Sequence, residues 1–248
     1  ARYDHVSVES QDSDKPNFGP GQARAFDNFS GSLGAIYNPT NDYAIALTAT
    51  YSERAPNYQE LFANGAHIAT GVYELGNSTL SIEKSLGIDL NLRKRTGWVT
   101  GSVGGYYNQF NNFIGLFPTG AVDPGSGFPV MEFRSTEADF LGAELETTFH
   151  LLHPITDKPA AADQSNLDLE FKADAVRARD CITGAPLPRI PPFHLSTALA
   201  YQRGPFGIRF EGIYAAPQDR VSAAELPTDS YFLVNAAISY TLSRPYHH

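Results

Sequence analysis

An all-β fold is the class that the sequence predicts, and three observations lead to it. Apolar residues alternate with polar or small ones in ten separate segments, which is the pattern of strands with one apolar face. No stretch beyond about two turns carries apolar residues at helical spacing between caps. Long and short connections alternate along the chain. The three observations together favour an antiparallel sheet whose strands run up and down in sequence order.

Each of the ten segments predicts one strand. The alternation is clearest where Ile45 and Leu47 are separated by alanine, and where leucine or isoleucine takes every second position from Leu86 to Leu92. Polar residues fill the second face, most visibly the charged series that begins at Asp168. In chain order the predicted strands are 3–10, 27–37, 43–51, 85–93, 98–113, 141–150, 167–177, 193–202, 206–214 and 231–240.

The connections differ at the two ends of this predicted sheet. Three are tight and rich in Gly, Pro, Asn and Asp, as reverse turns require. The connections that alternate with these tight turns are long. Only the connection 152–166 departs from this pattern, because it is long although it lies at the end of the sheet that carries the tight turns. Such asymmetry, with aromatic residues at strand ends, is typical of a transmembrane β-barrel, although a soluble all-β domain remains the alternative. The tight connections are 38–42, 93–98 and 202–206, and the long ones are 11–25, 53–83, 114–136, 180–192 and 218–228.

One helical turn is expected inside the second long connection. The stretch 55–65 places Pro56 where a first turn tolerates proline and Gly65 where a helix can end.

Composition narrows the possible functions. The 248 residues carry 27 acidic and 18 basic side chains, a net charge of −9, which argues against a nucleic-acid partner. A single cysteine, Cys181, excludes an intrachain disulfide and cysteine-rich metal sites. No window of 18 apolar residues predicts a membrane-spanning helix. Mean hydropathy is −0.27, a value that a barrel with polar loops and lumen also gives.

Several short motifs occur together in one order between the third and fourth predicted strands and beyond. A strand runs into Arg-Ala-Pro, followed by Glu-Leu-aromatic, Gly-Asn, and a Leu-x-x-Glu-x-Ser stretch that opens the next strand. In this chain the four motifs are Arg54-Ala55-Pro56, Glu60-Leu61-Phe62, Gly76-Asn77, and Leu80 with Glu83 and Ser85. Two further matching stretches follow at 110–116 and 138–146. In this order they resemble TonB-dependent outer-membrane receptors, apart from Ser78, where that family usually has proline.

The resemblance implies a fold, a location and a transport role. It implies that residues 1–248 are the later part of a 22-stranded receptor barrel, with the plug domain, TonB box, earlier strands and last strands outside this chain. The expected location is the outer membrane of a Gram-negative bacterium, in contact with lipid. The expected partner is the TonB complex, reached through the plug. No enzymatic activity and no resident cofactor are expected.

The stretch 63–71 resembles, more narrowly, a branch assigned to zinc uptake, and His67 carries that match. Glu60 and Glu74 lie within seven residues of His67 in the same long connection, so they are candidate substrate-binding residues. Zinc binds imidazole nitrogen and carboxylate oxygen but needs three or four ligands, so one histidine with two carboxylates falls short. His67 as a zinc ligand and His67 as a solvated loop residue both stay open.

Other functions remain open as alternatives. A ferric siderophore or haem is the second choice of cargo. A complete ten-stranded barrel enzyme, such as an outer-membrane protease, is a second class of function, and a soluble β-sandwich binding module is a third.

His150 and His153 form an H-x-x-H pair at a strand end, but residues three apart on a strand point their side chains to opposite faces. Nucleotide-binding, hydrolase and metalloprotease motifs are missing from the sequence.

Overall fold

The computed structural model describes residues 1–14, 19–156 and 164–242, and its regular structure is almost entirely β-strand. The elements in chain order are β1 (Arg2–Glu9), β2 (Ala23–Thr40), β3 (Tyr43–Arg54), α1 (Tyr58–Phe62), β4 (Asn64–His67), β5 (Val72–Leu75), β6 (Glu83–Lys94), β7 (Val99–Val122), β8 (Pro129–His150), β9 (Ser165–Asp180), β10 (His194–Arg203), β11 (Phe206–Ala215) and β12 (Tyr231–Tyr240).

Ten of these strands form one antiparallel path in the order β1-β2-β3-β6-β7-β8-β9-β10-β11-β12. Each predicted strand overlaps one member of this path, so the all-β prediction and its ten strands are confirmed. In the part of the chain that the structure describes, β1 pairs only with β2 and β12 only with β11. The described strands therefore form an open wall rather than a closed ten-stranded barrel.

The wall has one apolar and one polar face. On the apolar face Ile45 lies opposite Leu92, and Leu47 lies opposite Leu90. Leu47 and Leu90 keep 50% and 53% of their surface exposed, although both belong to continuous apolar rows. A face of this size and composition is suited to lipid, because water would leave its apolar area unburied.

The polar face carries a concentrated set of charged side chains in the middle of the wall. Across residues 142–150 of β8, residues 168–176 of β9, and the strands β10 and β11, the register places six carboxylates on this face against one lysine and one arginine. The carboxylates are Glu144, Glu146, Asp168, Glu170, Asp174 and Glu211, and the cations are Lys172 and Arg209. Lys172 Nζ lies 3.2 Å from Glu146, and Arg209 contacts both Glu170 and Glu211.

The connection between the fifth and sixth predicted strands departs from the sequence expectation. The sequence predicts a loop over 114–136, but β7 continues to Val122 and β8 begins at Pro129, so only 123–128 form the tip. The strands persist because backbone pairing continues after a bulge between Phe110 and Phe113, with Asn112 at φ 58°. Gly115, Pro118 and Gly120 are weak strand formers, and the backbone pairing of β7 with β8 overrides that local preference.

The helical turn inside the second long connection is confirmed as α1, but with different ends. Asn57 is its N-cap, so Pro56 lies before the helix, and the C-cap is Ala63. Gly65 belongs to the following strand β4. No helix in the described ranges has the length and apolar character needed to cross a membrane.

Two apolar clusters hold long connections against the β7–β8 extension. Phe26, Leu61, Leu80 and Ile114 pack together under the β3–β6 connection. Leu187, of the β9–β10 connection, packs on Ala138 and Ala178 beside a group of phenylalanines that includes Phe110, Phe113 and Phe140. The two faces of one extended hairpin thus support two different loops at the same end of the wall.

Candidate functional site

The candidate site is supported by a cluster of ion pairs at the end of β3. Arg54 Nη1 donates to Glu60 Oε1 and Oε2 at 3.1 and 2.9 Å, and Arg54 Nε donates to Glu83 Oε1 at 3.1 Å. One guanidinium therefore joins the end of β3, the helix α1 and the start of β6. Both carboxylates are largely buried, which strengthens such charge-assisted hydrogen bonds relative to exposed ones.

A capping box fixes the start of α1. The Asn57 side chain accepts from the backbone N–H of Gln59 and of Glu60, and Glu60 Oε2 accepts from the Asn57 N–H at 2.8 Å. Leu61, only 2% exposed, then anchors the helix in the apolar cluster below. Glu60 is thus a structural residue of α1 in addition to being a candidate for ligand binding.

Gly76 brings the chain back against the end of α1. A Cβ atom at this position would lie 2.6 Å from backbone atoms of Leu61, Phe62 and Ala63. The Gly76 N–H donates to Ala63 O at 2.6 Å, and the Asn77 N–H donates to Glu60 O at 2.8 Å. The Gly-Asn motif therefore closes the connection at its base, and the hairpin β4–β5 projects from that base.

His67 stands at the end of β4 with one ring nitrogen engaged. Its Nδ1 lies 3.1 Å from Glu74 Oε1 and 2.9 Å from Thr70 Oγ1. Because a carboxylate only accepts, Nδ1 is assigned the proton and Nε2 carries the lone pair. Within the described residues Nε2 has no hydrogen-bond partner, and the side chain is 48% exposed.

Glu74 orients that imidazole from a buried position. Its side chain is 8% exposed, and its second oxygen accepts from Gln59 Nε2 at 2.8 Å. Gln59 lies on α1, so the helix held by Arg54 also fixes the carboxylate that holds His67. A carboxylate on the second ring nitrogen is the usual partner of a metal-binding histidine, because it fixes the tautomer and raises ligand basicity.

His67 and Glu74 open onto a cavity of about 590 Å³ where three long connections meet. Pro188 and Arg189 reach it from the β9–β10 connection, and Glu225 reaches it from the β11–β12 connection. Glu225 Oε1 accepts from the Arg189 N–H at 2.7 Å and so links these two connections. The cavity lies at the long-loop end, in the size range of small-molecule sites.

The sequence candidates are thus brought together in part. His67 and Glu74 are in contact, whereas both oxygens of Glu60 are engaged by Arg54 and the capping box. In the described parts of the chain, no group of three or more His, Cys, Asp or Glu side chains is placed to hold a metal ion. Gln59 and Thr70 are not predicted from the sequence, although the capping-box spacing from Asn57 to Glu60 is a pattern that locates the start of α1.

A second histidine site lies at the opposite, short-turn end of the wall. His150 Nδ1 is 2.7 Å from Asp168 Oδ1, and its Nε2 is 2.8 Å from Thr100 Oγ1. The His150 side chain is 8% exposed, and its two partners belong to the two strands that flank β8, namely β9 and β7. His153 is exposed in the turn beyond β8, so the H-x-x-H pair does not form a joint site.

Comparison with known proteins agrees with this architecture. Residues 1–247 match the family model described as TonB dependent receptor-like, beta-barrel. A solved structure of the copper transporter OprC superposes with a TM-score of 0.72 at 16% identity, covering 93% of this chain and 33% of that one. The siderophore receptor PirA from Acinetobacter baumannii gives 0.61 at 15% identity, covering 90% and 37%. The FrpB iron transporter from Neisseria meningitidis gives 0.63 at 12% identity, covering 96% and 35%.

The fold and the alternation of long and short connections are those of one wall of a receptor β-barrel. The chain belongs to the TonB-dependent receptor β-barrel family. It spans about a third of the length of the solved structures it matches, and at these identities the likeness concerns the fold. Members of this family are outer-membrane transport proteins of Gram-negative bacteria rather than enzymes, so the non-enzymatic expectation is confirmed and the protease-like alternative is not supported.

Proposed function

We propose that this chain is the ligand-capturing wall of an outer-membrane receptor that imports a scarce metal, with zinc as its cargo. One observation carries the proposal: His67 lines a cavity, Glu74 holds its Nδ1, and its Nε2 has no hydrogen-bond partner among the described residues. A neutral imidazole with a fixed tautomer is prepared to donate a lone pair to a metal. TonB, acting through a plug domain, would supply the energy for release and import.

The charge on the polar face supports a cationic cargo. Six carboxylates lie with two cations on the polar face of residues 142–150 of β8, residues 168–176 of β9, and the strands β10 and β11, so the potential along this part of the wall is negative. A metal cation is attracted to such a wall, whereas a chelate with net negative charge is repelled. The wall therefore favours a cation over an anionic ferric chelate.

The test is removal of the His67 imidazole in the intact receptor purified in detergent. We expect His67→Ala to weaken zinc binding at least about tenfold in titration calorimetry, because a metal loses a nitrogen ligand. His153→Ala is the matched control, since it removes an exposed histidine from the opposite end and leaves zinc affinity unchanged. Equal zinc affinity in the His67→Ala variant and the unaltered receptor would contradict the proposal.

A ferric siderophore is the second candidate cargo, because the cavity volume also suits a small organic ligand. Apolar side chains such as Leu116 and Phe133 line it beside the polar group of His67. In this case a ferric chelate, and not free zinc, would quench intrinsic fluorescence on titration, and His67→Ala would change that quenching only slightly. The same two variants therefore separate the two cargoes.

A further inference from the structure

An arginine lies on the apolar face of the wall, near its long-loop end. The register sets Arg177 of β9 opposite Leu141 of β8, and Leu141 lies opposite Tyr107 of β7. Leu141 and Tyr107 are exposed members of the apolar rows, and the side chains of paired residues share a face. The Arg177 side chain is therefore on the face that is suited to lipid, and it is exposed there.

The composition of the apolar face changes at Arg177. Along β9, every second residue over 167–175 is apolar, whereas the next two residues on this face are Arg177 and Arg179. On β8 the same change occurs between Leu141 and Asp139. The apolar belt of a transmembrane barrel ends at the lipid headgroups, where a charged side chain costs much less free energy than at the bilayer midplane. Arg177 therefore lies at the headgroup level of the long-loop end.

The carboxylate diagonally opposite Arg177 is already engaged. Arg179 Nε lies 3.0 Å from both oxygens of Asp139, and Arg179 Nη2 lies 2.7 Å from Asp139 Oδ2. Glu137 lies one position further along this face of β8, where its carbonyl oxygen accepts from the Cys181 N–H. Among the described residues, the Arg177 guanidinium has no hydrogen bond and no ion pair. Its positive charge is therefore not neutralised by this part of the chain.

A second arginine shares a small cavity with Arg177. The cavity has a volume of about 70 Å³ and lies beside β9, beyond the point where β10 begins. Arg220 of the β11–β12 connection also lines it, and its N–H donates to Gln218 Oε1 at 3.1 Å. Gln218 Nε2 donates to Ile190 O at 2.7 Å, which holds this connection against the β9–β10 connection. Of the described residues that line the cavity, none is acidic, although Asp219 precedes Arg220 in the chain.

This arrangement fits one kind of partner. A guanidinium group donates paired hydrogen bonds to phosphate oxygens, which an ammonium group cannot do in the same geometry. A lipid with a phosphate monoester as its headgroup would bring that anion to the edge of the apolar belt, while its acyl chains cover the apolar rows below. A soluble anion gains nothing from the apolar rows.

We propose that Arg177, with Arg220 beside it, binds the phosphate of an anionic lipid headgroup at the long-loop end of the wall. The proposal does not rest on the transport function, since it uses neither His67 nor a metal. Its consequence concerns the two connections that line the small cavity, because the same connections bring Arg189 and Glu225 to the cavity of His67. A bound lipid would fix both connections to the bilayer.

The test measures the affinity of phosphatidic acid for the intact receptor in dodecyl maltoside by native mass spectrometry. We expect Arg177→Gln to lower this affinity about tenfold, because a charge-assisted hydrogen bond is lost. Arg177→Lys should lower it only about threefold, since the ammonium group keeps the charge without the paired hydrogen bonds. Arg177 is exposed and makes no polar contact with the described residues, so both variants should fold normally. Unchanged affinity in Arg177→Gln would overturn the proposal.

Arg203→Gln is the matched control. Arg203 is also an exposed arginine on the apolar face, but it lies at the short-turn end, opposite Phe206 and Ser165 and without a second arginine as register partner. We expect Arg203→Gln to keep phosphatidic acid affinity within about twofold. Equal losses in Arg177→Gln and Arg203→Gln would overturn the proposal, because binding would then depend only on the total positive charge of this face.

Inorganic phosphate distinguishes a lipid site from a site for soluble anions. We expect a large excess of inorganic phosphate to leave phosphatidic acid bound, because it has no acyl chains to place on the apolar rows. Complete displacement would overturn the assignment to a lipid. The measurement does not use zinc, so a failure of this proposal and a failure of the proposed transport function are distinguishable.

Discussion

The two histidine–carboxylate pairs of this wall use the same groups in opposite ways. At the long-loop end, His67 is about half exposed, its carboxylate partner is buried, and one ring nitrogen is unoccupied within the described residues. At the short-turn end, His150 is buried and both of its ring nitrogens are engaged, by Asp168 and Thr100. The difference shows that a histidine paired with a carboxylate is suited to bind a ligand only where its second ring nitrogen has no hydrogen-bond partner.

The largest expected effect comes from breaking the buried pair. His150→Ala leaves Asp168 and Thr100 without their partner, and each unsatisfied group costs about 1–3 kcal/mol. We therefore expect the free energy of unfolding to fall by about 3 kcal/mol, measured by urea denaturation in detergent.

Zinc affinity should not change in His150→Ala, since the variant lies at the other end of the wall. A fall in zinc affinity without loss of stability would mean that His150, and not His67, belongs to the metal site.

A smaller effect is expected when the orienting carboxylate of the exposed pair loses its charge. Glu74→Gln keeps the size and removes the charge that favours the Nδ1-protonated tautomer of His67. Changes to such supporting groups typically cost about 10–100-fold in metal affinity, so we expect about a tenfold loss by titration calorimetry.

Stability should be nearly unchanged in Glu74→Gln, because the amide can still pair with Gln59 and His67. A matched variant, Glu225→Gln, changes a carboxylate that lines the same cavity but contacts the backbone of Arg189 and Ser222. Equal losses in the two variants would indicate a general effect of cavity charge.

The smallest effect concerns a carboxylate without a histidine, Asp123 at the tip between β7 and β8. Hydrogen bonds from the Ser126 hydroxyl and N–H hold the pKa of Asp123 below its ordinary value. A lowered pKa means that the carboxylate stabilises the turn above its ordinary pKa, and that this stabilisation is lost as pH falls through the folded-state pKa.

Hydrogen exchange at the Ser126 amide should therefore report weaker protection at acidic than at neutral pH, relative to the intrinsic rate. Asp123→Asn should remove most of this pH dependence while leaving zinc affinity unaltered. Persistence of the full pH dependence in Asp123→Asn would assign it to another group.

Much of the wall could be predicted from the sequence, because alternation reports directly on a strand with two unlike faces. Leu86 to Leu92 and Asp168 to Asp174 are clear in this respect. The extension of β7 and β8 could not be predicted from the sequence. Residues around Gly115 and Pro118 are weak strand formers, and they adopt strand structure because the two strands continue to pair through backbone hydrogen bonds.

The candidate site was predictable only in part, for a related reason. His67 and Glu74 are seven residues apart in one hairpin, so the sequence brings them close. Met131 lines the same cavity through the parallel pairing of β5 with β8, and His150 meets Asp168 through the register of β8 with β9. Register between distant strands depends on tertiary packing, which residue spacing does not reveal.

The parallel pairing of β5 with β8 also covers a strand edge of the β7–β8 hairpin that could otherwise pair with another chain. β9 ends at Asp180, opposite Ala138, so β8 continues toward Pro129 with one edge no longer covered by β9. An uncovered strand edge is a template on which other chains can add strands. β5 occupies that edge at residues 130–132, and any redesign of this loop should therefore keep Val72–Leu75 to prevent edge-to-edge aggregation of the receptor.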